Sequence, residues 1–308
     1  MANLSWLYNK GYYKDFRRWN DPKYFEATNK EITGTDISSF PATDFTTIDL
    51  ETTYPGLLAG SGYAHEIGVE GETKIGFYFD HTTGMPVIPG SSVKGTLRSV
   101  FPQFEPDKKA PWLIKDINNE SEKNKAKARY IGQDLLNWTY DDKILFEKVH
   151  QLEQHIFEGL NVSDSKEKCI YYTLHERDIF YDAFPVKGGG SNGKKILGMD
   201  AITPHGDNPL KNPTPLPFIK ILPGVTIRFN LKLGASSFLD VDADERRVLF
   251  GKILLDTGIG AKTNVGYGQF RHKQFMTIKK QSELGLPVLD EVSLPSGPIF
   301  ANKRNRNK

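Results

Sequence analysis

Apolar and polar residues alternate along Phe45–Leu50, the pattern of a strand with one buried face. Ile75–Phe79 predicts another short strand, and between the two lies the glycine-punctuated turn or bulged strand Pro55–Gly62. Pro89 and Gly90 then break the chain before a predicted helix, Ser91–Phe101, with a serine placed to cap it. Its apolar residues Val93, Leu97, Val100 and Phe101 fall at i, i+4, i+7 and i+8, a stripe on one face. Strand patterns return at Cys169–Leu174, Ile179–Val186, Phe218–Leu222 and Thr226–Leu233. A second helix is predicted over Asp242–Asp256, with Val248, Leu249, Ile253 and Leu254 inward and Gly258 as a left-handed cap. Val265–Phe275 is the last expected core strand.

Reduced to this core, the order is strand, helix, strands, helix, strand. That is the α+β, ferredoxin-like βαββαβ arrangement, a four-stranded antiparallel sheet backed by two helices, also used by RNA-recognition motifs. The expected divisions are an N-terminal helical extension (1–43), the core (44–101 and 169–280), a helical insertion (102–168) and a tail (281–308). The extension carries Trp6, Tyr8, Tyr12, Tyr13, Phe16 and Trp19 at helix-like intervals, so it should lie on the body or on a neighbouring subunit. The insertion is lysine-rich, with helical patterns at Lys125–Leu136 and Lys143–Phe157. Lys187–Gly193 is expected to be a flexible glycine segment, 203–217 a proline-rich stretch, and Lys303–Lys308 disordered for want of any apolar residue.

Composition narrows the function classes. The 308 residues carry a formal net charge of only +2, so a nucleic-acid site would have to come from local clusters rather than from a basic surface. Cys169 is the single cysteine, which excludes an internal disulfide and a cysteine-based zinc site and fits a reducing cytosol. No signal-peptide pattern and no membrane-length apolar run is present, so a cytoplasmic protein without a membrane partner is expected.

Two segments carry candidate chemistry. Gly258–Gly268 holds four glycines in eleven residues, allowing close backbone approach and an anion-binding nest of N–H groups. Lys262 adds a cation there, Thr263 and Asn264 add donors, and Tyr267 offers a stacking face. Gly258 and Gly260 open the loop, but Thr263 replaces the third glycine of a dinucleotide fingerprint and the loop follows a helix, so a Rossmann site fails. A glycine-rich turn with no ligand remains open. In Pro86–Arg98, Ser91 and Ser92 stand at a helix N-terminus, where phosphate is favoured, and Lys94 and Arg98 share a face. No Gly-Lys-Ser/Thr closes a Walker loop, and a solvated Lys/Arg face remains the alternative.

Ile88–Arg98 and the Gly-Ile-Gly-Ala-Lys…Gly-Tyr-Gly-Gln-Phe270 loop together resemble the signature segments of the RAMP superfamily of CRISPR-associated proteins. Pro55–Gly62 resembles its first-strand motif and Asp178–Pro185 its middle strand. Within the superfamily, Leu197–His205 followed by Pro215–Phe218 is similar to the family of sixth subunits of the Cmr (type III-B) effector complex. The resemblance implies a non-catalytic subunit that caps the 3′ side of the guide RNA (crRNA). In that picture the Gly-rich loop and first helix hold guide phosphates. The implied partners are crRNA, target RNA, the backbone RAMP subunit, the small subunit and the other end-cap RAMP, with no cofactor.

Other residues of the chain bear on competing chemistries. Some RAMP relatives cleave guide precursors without metal, and His65 is positioned in sequence to reach RNA, although a hydrogen-bonded surface histidine accounts for it better. His205, between Pro204 and Gly206, reads as a turn residue. His150 and His155 are five apart, which spoils i, i+4 metal geometry, so no metal is expected. Asp178, Asp182 and Asp200 suit turn and strand-end roles better than carboxylate catalysis. The alternatives are therefore a metal-independent endoribonuclease maturing crRNA, or a backbone subunit cleaving target RNA with a loop aspartate.

Overall fold

A computed structural model describes residues 3–36, 45–59, 71–162, 169–189, 193–202 and 215–272. The chain begins with α1 (Leu4–Asn9) and α2 (Pro22–Gly34), followed by β1 (Thr46–Thr52). Three two-residue strands, β2 (Lys74–Ile75), β3 (Tyr78–Phe79) and β4 (Pro86–Val87), lead into α3 (Gly90–Val100). Then come α4 (Glu122–Arg129), α5 (Asp142–Glu158), and the hairpin of β5 (Leu160–Val162) and β6 (Cys169–Tyr171). The remaining elements are β7 (Ile179–Phe180), β8 (Phe184–Lys187), β9 (Leu197–Ile202), β10 (Leu216–Ile221), β11 (Thr226–Lys232), α6 (Ala243–Thr257) and β12 (Phe270–Arg271).

The central sheet has the order β12–β1–β11, with β7 and β8 both on the far side of β11 and every pairing antiparallel. Counting β7 and β8 as one broken strand, this is the 4-1-3-2 order of the ferredoxin-like fold, so the predicted α+β core is present. Alternation fixes its faces. Ile48 and Leu50 of β1 lie opposite Phe229 and Ile227 of β11 and are buried with Val93 and Leu97 of α3 and Leu249, Phe250, Ile253 and Leu254 of α6. On the other face Asp49 takes a bidentate pair from Arg228 at 2.8 and 2.7 Å, and Glu51 pairs with Arg271. Acid meets base across this face, so it is not the aromatic platform with which an RNA-recognition motif reads bases.

The alternation along Phe218–Leu222 is real, but β10 does not join the core sheet. It pairs with β9 and β2 in a second sheet of three strands. The predicted strand Cys169–Leu174 is likewise outside the core, in the β5–β6 hairpin. Val265–Phe275 contributes only Phe270–Arg271 to the sheet among the described residues, because Thr263–Val265 curls into a 3₁₀ turn. In α6 the inward positions include Arg246 and Phe250, while Val248 is only half-buried. Of the N-terminal aromatics, Tyr8, Tyr12, Tyr13 and Trp19 pack on the body, whereas Trp6 is exposed. Tyr8 and Tyr12 are buried, Tyr8 Oη donates to the Thr73 carbonyl (2.8 Å), and Tyr13 hydrogen-bonds Glu72. The expected tail, the tip of the Lys187–Gly193 segment, and residues 203–214 of the proline-rich stretch lie outside the described residues.

Arg246 is wholly buried. Its Nε meets Asp178 Oδ2 at 2.9 Å, and its other nitrogens donate to the carbonyls of Gly234 (2.5 Å), Ser236 (2.8 Å) and Val241 (3.2 Å). Asp178 also accepts from the Gly234 amide at 2.8 Å, tying α6 to the segment before β7 and the one after β11. Removing one member of a buried pair strands the other without a counter-charge. Arg246→Met should therefore lose about 3–5 kcal/mol of unfolding free energy, measured by urea denaturation. A variant as stable as the parent would refute the pair's structural role.

Candidate nucleic-acid interface

The helix α3 presents three faces, because successive residues step around it by about 100°. Val93 and Leu97 face the core, and Lys94 and Arg98 follow roughly a quarter-turn round. Ser92, Gly95, Thr96 and Ser99 form a third, small-residue stripe. This stripe lines one wall of an open groove of about 450 Å³, whose other wall is Ile259, Gly260 and Ala261 with Ala59. The two segments singled out in the sequence thus come together, meeting through the groove at Ser92 and Gly260. Gly95, Thr96, Ser99 and Ala59 were not singled out. The signal was available as small residues at i, i+3, i+4 and i+7 from Ser92.

The basic pair lies elsewhere. Lys94 Nζ donates to the Phe157 carbonyl at 2.9 Å. Arg98 Nε donates to Glu153 Oε1 at 2.6 Å, its Nη1 lies 2.5 Å from Glu158 Oε1, and its guanidinium stands over the Phe157 ring. Both cations clamp α5 to α3 and are not on the groove. The helix start is also occupied. Neither Ser91 nor Ser92 caps it; Asp182 Oδ1 accepts from the Gly90 amide at 2.7 Å, and Pro89 O accepts from Ser92 and Val93. Ser91 and Ser92 are exposed beside this capped end. Gly90 is needed for the close approach, since a Cβ there would strike the Phe180 carbonyl.

The Gly-rich loop spends several of its amides on its own chain. Ile259 N donates to Gly268 O (3.0 Å), Ala261 N to Leu58 O (2.7 Å) and Gly268 N to Gly56 O (2.8 Å). Gly260, at φ +101°, packs so tightly that an added Cβ would meet the Leu58 carbonyl, so protein backbone, not a ligand, requires glycine here. Gly258 has the expected positive φ (67°), but its ψ of −172° is extended rather than left-handed helical. Lys262 is exposed next to Ala261 with its own backbone at φ 58°, and Asn264 is exposed on the same turn, with Thr263 half-buried between them.

Tyr267 is buried, not an open stacking face. Its ring lies against Phe218, and its Oη donates to Asp200 Oδ2 at 2.7 Å. Burial and that hydrogen bond to a carboxylate raise the phenol above its ordinary range. Asp200 also accepts from Lys220 Nζ (2.5 Å) and the Ala201 amide (2.8 Å). Burial opposes its charge, yet these donors hold the carboxyl below the usual range. Lys220 stands over the Tyr267 ring, so the cluster fastens the Gly-rich loop to the β9–β10 sheet.

The other ionisable candidates are tied down. His150 is buried with Nε2 3.0 Å from Pro111 O, and burial depresses its basicity. His155, among Tyr172 and Phe238, is pushed down to about 4 by burial and by Arg246. Asp178 and Asp182 serve Arg246 and the α3 cap. His65 and His205 lie outside the described residues. Among the described residues no cluster of three or more His, Cys, Asp or Glu is arranged to hold a metal, and no helix is long and apolar enough to cross a membrane.

Glu153 is only 4% exposed, and burial pushes its carboxyl upward against the opposing pull of Arg98. Arg98→Ala removes that pull and raises it further. A folded-state value above the unfolded one favours the fold in acid and loses that advantage as pH rises through it. The variant should therefore lose about 2–3 kcal/mol near neutrality, a deficit that shrinks as pH falls toward 4.5, the ordinary glutamate value. Urea midpoints measured from pH 8 to pH 4 check this; a deficit independent of pH would show that Glu153 is not what Arg98 neutralises.

Several solved structures resemble the chain. A chain in the cryo-EM structure of the type III-B Cmr-beta complex bound to cognate target RNA is 20% identical, with a TM-score of 0.42 over 81% of this chain and 64% of that one. This chain thus spans less than two thirds of that protein. Cmr6 from Pyrococcus furiosus is 18% identical, with a TM-score of 0.35 over 74% of this chain and 99% of Cmr6. A chain of a type III-A Csm–crRNA–target RNA ternary complex is 20% identical over 56% of this chain and 43% of that one, with a TM-score of 0.23. No curated protein matches. The RAMP superfamily model matches residues 49–271, from β1 through α3 and the Gly-rich loop to β12, and the chain therefore belongs to the RAMP superfamily.

Proposed function

We propose that this chain is a non-catalytic subunit of a type III-B CRISPR effector complex that holds the guide-RNA backbone in the groove between α3 and the Gly-rich loop. The groove carries the reading. One wall is hydroxyls and a glycine, the other is Gly260, Ala261 and Ala59 with the side chains of Ile259 and Ile88 almost wholly buried, so a sugar-phosphate chain can approach both walls closely. Ser92 and Thr96 offer hydroxyls to phosphate oxygens, while Ser99 spends its own on the Thr96 carbonyl at 2.7 Å, and Lys262, Thr263 and Asn264 stand at the end of the opposite wall. Lys94 and Arg98 are left out of this version of the site, since α5 holds them. The type III-B assignment, and the position at the 3′ side beside the backbone subunit, rest on the similarity of Leu197–His205 and Pro215–Phe218. The partners on this reading are crRNA, target RNA, the backbone and small subunits and the other end cap, in the cytoplasm.

The absence of catalysis is supported by what the acids and bases are doing. Asp178, Asp182 and Asp200 each answer a donor of the fold, and His150 and His155 are buried and do not line the groove. None stands ready to take a proton from a 2′-hydroxyl. Pure protein incubated with repeat-containing and target RNAs, with and without divalent metal, should leave them intact. Specific fragments that vanish in His65→Ala would overturn this and favour guide processing.

Two substitutions test the groove. Lys262→Ala should weaken binding to RNA of any sequence and lower the single-strand salt slope by about 0.7, the loss of one phosphate contact. Gly95→Leu projects a side chain into the groove from a helical position where an added Cβ meets nothing within 4 Å. It should fold at least as stably as the parent, since leucine is the better helix former, yet bind RNA at least tenfold more weakly. Normal affinity in both variants would remove the groove from the RNA path. Sequencing the RNA that co-purifies with the native assembly tests the guide-binding role itself.

A further inference from the structure

Tyr54 is the most exposed large apolar side chain among the described residues, with 84% of its surface open to solvent. Its backbone, however, is held on both sides. Thr53 donates to Gln269 O through its amide (2.9 Å) and its hydroxyl (3.1 Å), and Gly56 O accepts from Gly268 N. Pro55 packs against Gly266, so closely that a Cβ there would lie 3.3 Å from the proline ring. Gly266 in turn closes the Thr263–Val265 turn through its amide to Thr263 O. A rigid pedestal thus carries a solvent-facing ring beside the turn that displays Lys262 and Asn264, with Val265, the next residue, 64% exposed.

We propose that Tyr54 is a stacking platform for one unpaired base of the RNA whose backbone follows the groove. The inference rests on the function proposed above and adds a base contact to a site otherwise made of phosphate contacts. A base with its face on the ring would place a neighbouring phosphate toward Lys262, the pairing of aromatic and cation that single-stranded nucleic acid uses. Tyrosine loses little side-chain entropy on ordering, and its pinned backbone removes the rest of the cost. The surroundings favour a base over a protein partner: Thr53, Lys262, Asn264 and Gln269 are polar, and Val265 is the only other exposed large apolar residue of these segments, whereas a docking surface needs a contiguous apolar patch.

The test uses the full chain and a labelled single-stranded RNA of mixed sequence. Tyr54→Ala should weaken binding about 5- to 150-fold, the range that stacking of one base supplies, with an unchanged melting temperature and salt slope. Tyr54→Phe should restore affinity, and Tyr54→Leu should not. An RNA scanned with single abasic nucleotides should show one position whose loss costs the parent as much as Tyr54→Ala does and costs that variant nothing. Unchanged affinity in Tyr54→Ala, while Lys262→Ala still loses affinity and slope, would overturn the platform and leave the groove standing. Unchanged affinity in both would overturn the two together. Loss of association with other subunits at normal RNA affinity would assign Tyr54 to a protein contact and sink the proposal.

Discussion

The structure depends on one backbone seam, where the segment leaving β1 is gripped from both sides. Thr52 donates to Val225, Leu57 and Ile221 exchange both of their hydrogen bonds, and Ala59 donates to Gly76. From the other side Gly268 donates to Gly56 and Ala261 to Leu58. These contacts join the ferredoxin-like sheet to the β2–β10–β9 sheet and lay the Gly-rich loop along the seam. The spacing is so close that side chains are excluded. A Cβ on Gly56 would strike the Ile221 carbonyl, and one on Gly260 the Leu58 carbonyl. The glycines of the loop are thus first a folding requirement, and the groove is what their tight packing leaves beside α3.

Around that seam α3 works as a three-sided post. Its apolar side enters the core with α6, its basic side receives α5, and its small-residue side stays open. Lys127 of α4 adds a second tie to α3 by donating to the carbonyl of Ser99 at 2.5 Å, and the Arg129–Asp142 pair at 2.7 Å joins α4 to α5. Lys127 is partly buried, and burial followed by repulsion from Lys123 lowers its pKa. Cations that look like a nucleic-acid signature along the sequence are therefore used to attach one part of the chain to another.

That use of charge also explains what the sequence could and could not reveal. The order of core strands and helices was legible because alternation and helical spacing are local properties of the chain. The two segments that meet at the groove were legible from glycine spacing and a helix start. Partners across space were not. Nothing near Arg98 in sequence announces Glu153 or Glu158, more than fifty residues on. Asp182 competes for the α3 N-terminus from another strand, and Asp200 takes the Tyr267 hydroxyl from the second sheet. The membership of Phe218–Leu222 in a separate sheet was hidden for the same reason, since its alternation does not say which strands lie beside it.

A site built this way has a distinct electrostatic character. With Lys94 and Arg98 withdrawn and the open sheet face neutralised by Asp49–Arg228 and Glu51–Arg271, the groove keeps hydroxyls, backbone and the exposed Lys262 at its margin. If RNA follows the groove as proposed, few counterions would be released on binding, so affinity from this chain alone should be modest and only weakly dependent on salt. Such a surface suits a protein that positions an RNA already held by neighbours, where phosphate contacts fix register rather than capture the strand from solution. The small net charge is then consistent with the role proposed above. On the proposed function, a strongly basic surface would bind any RNA it met, whereas a groove that depends on shape and, among the described residues, on Lys262 would discriminate through the geometry of the strand delivered to it.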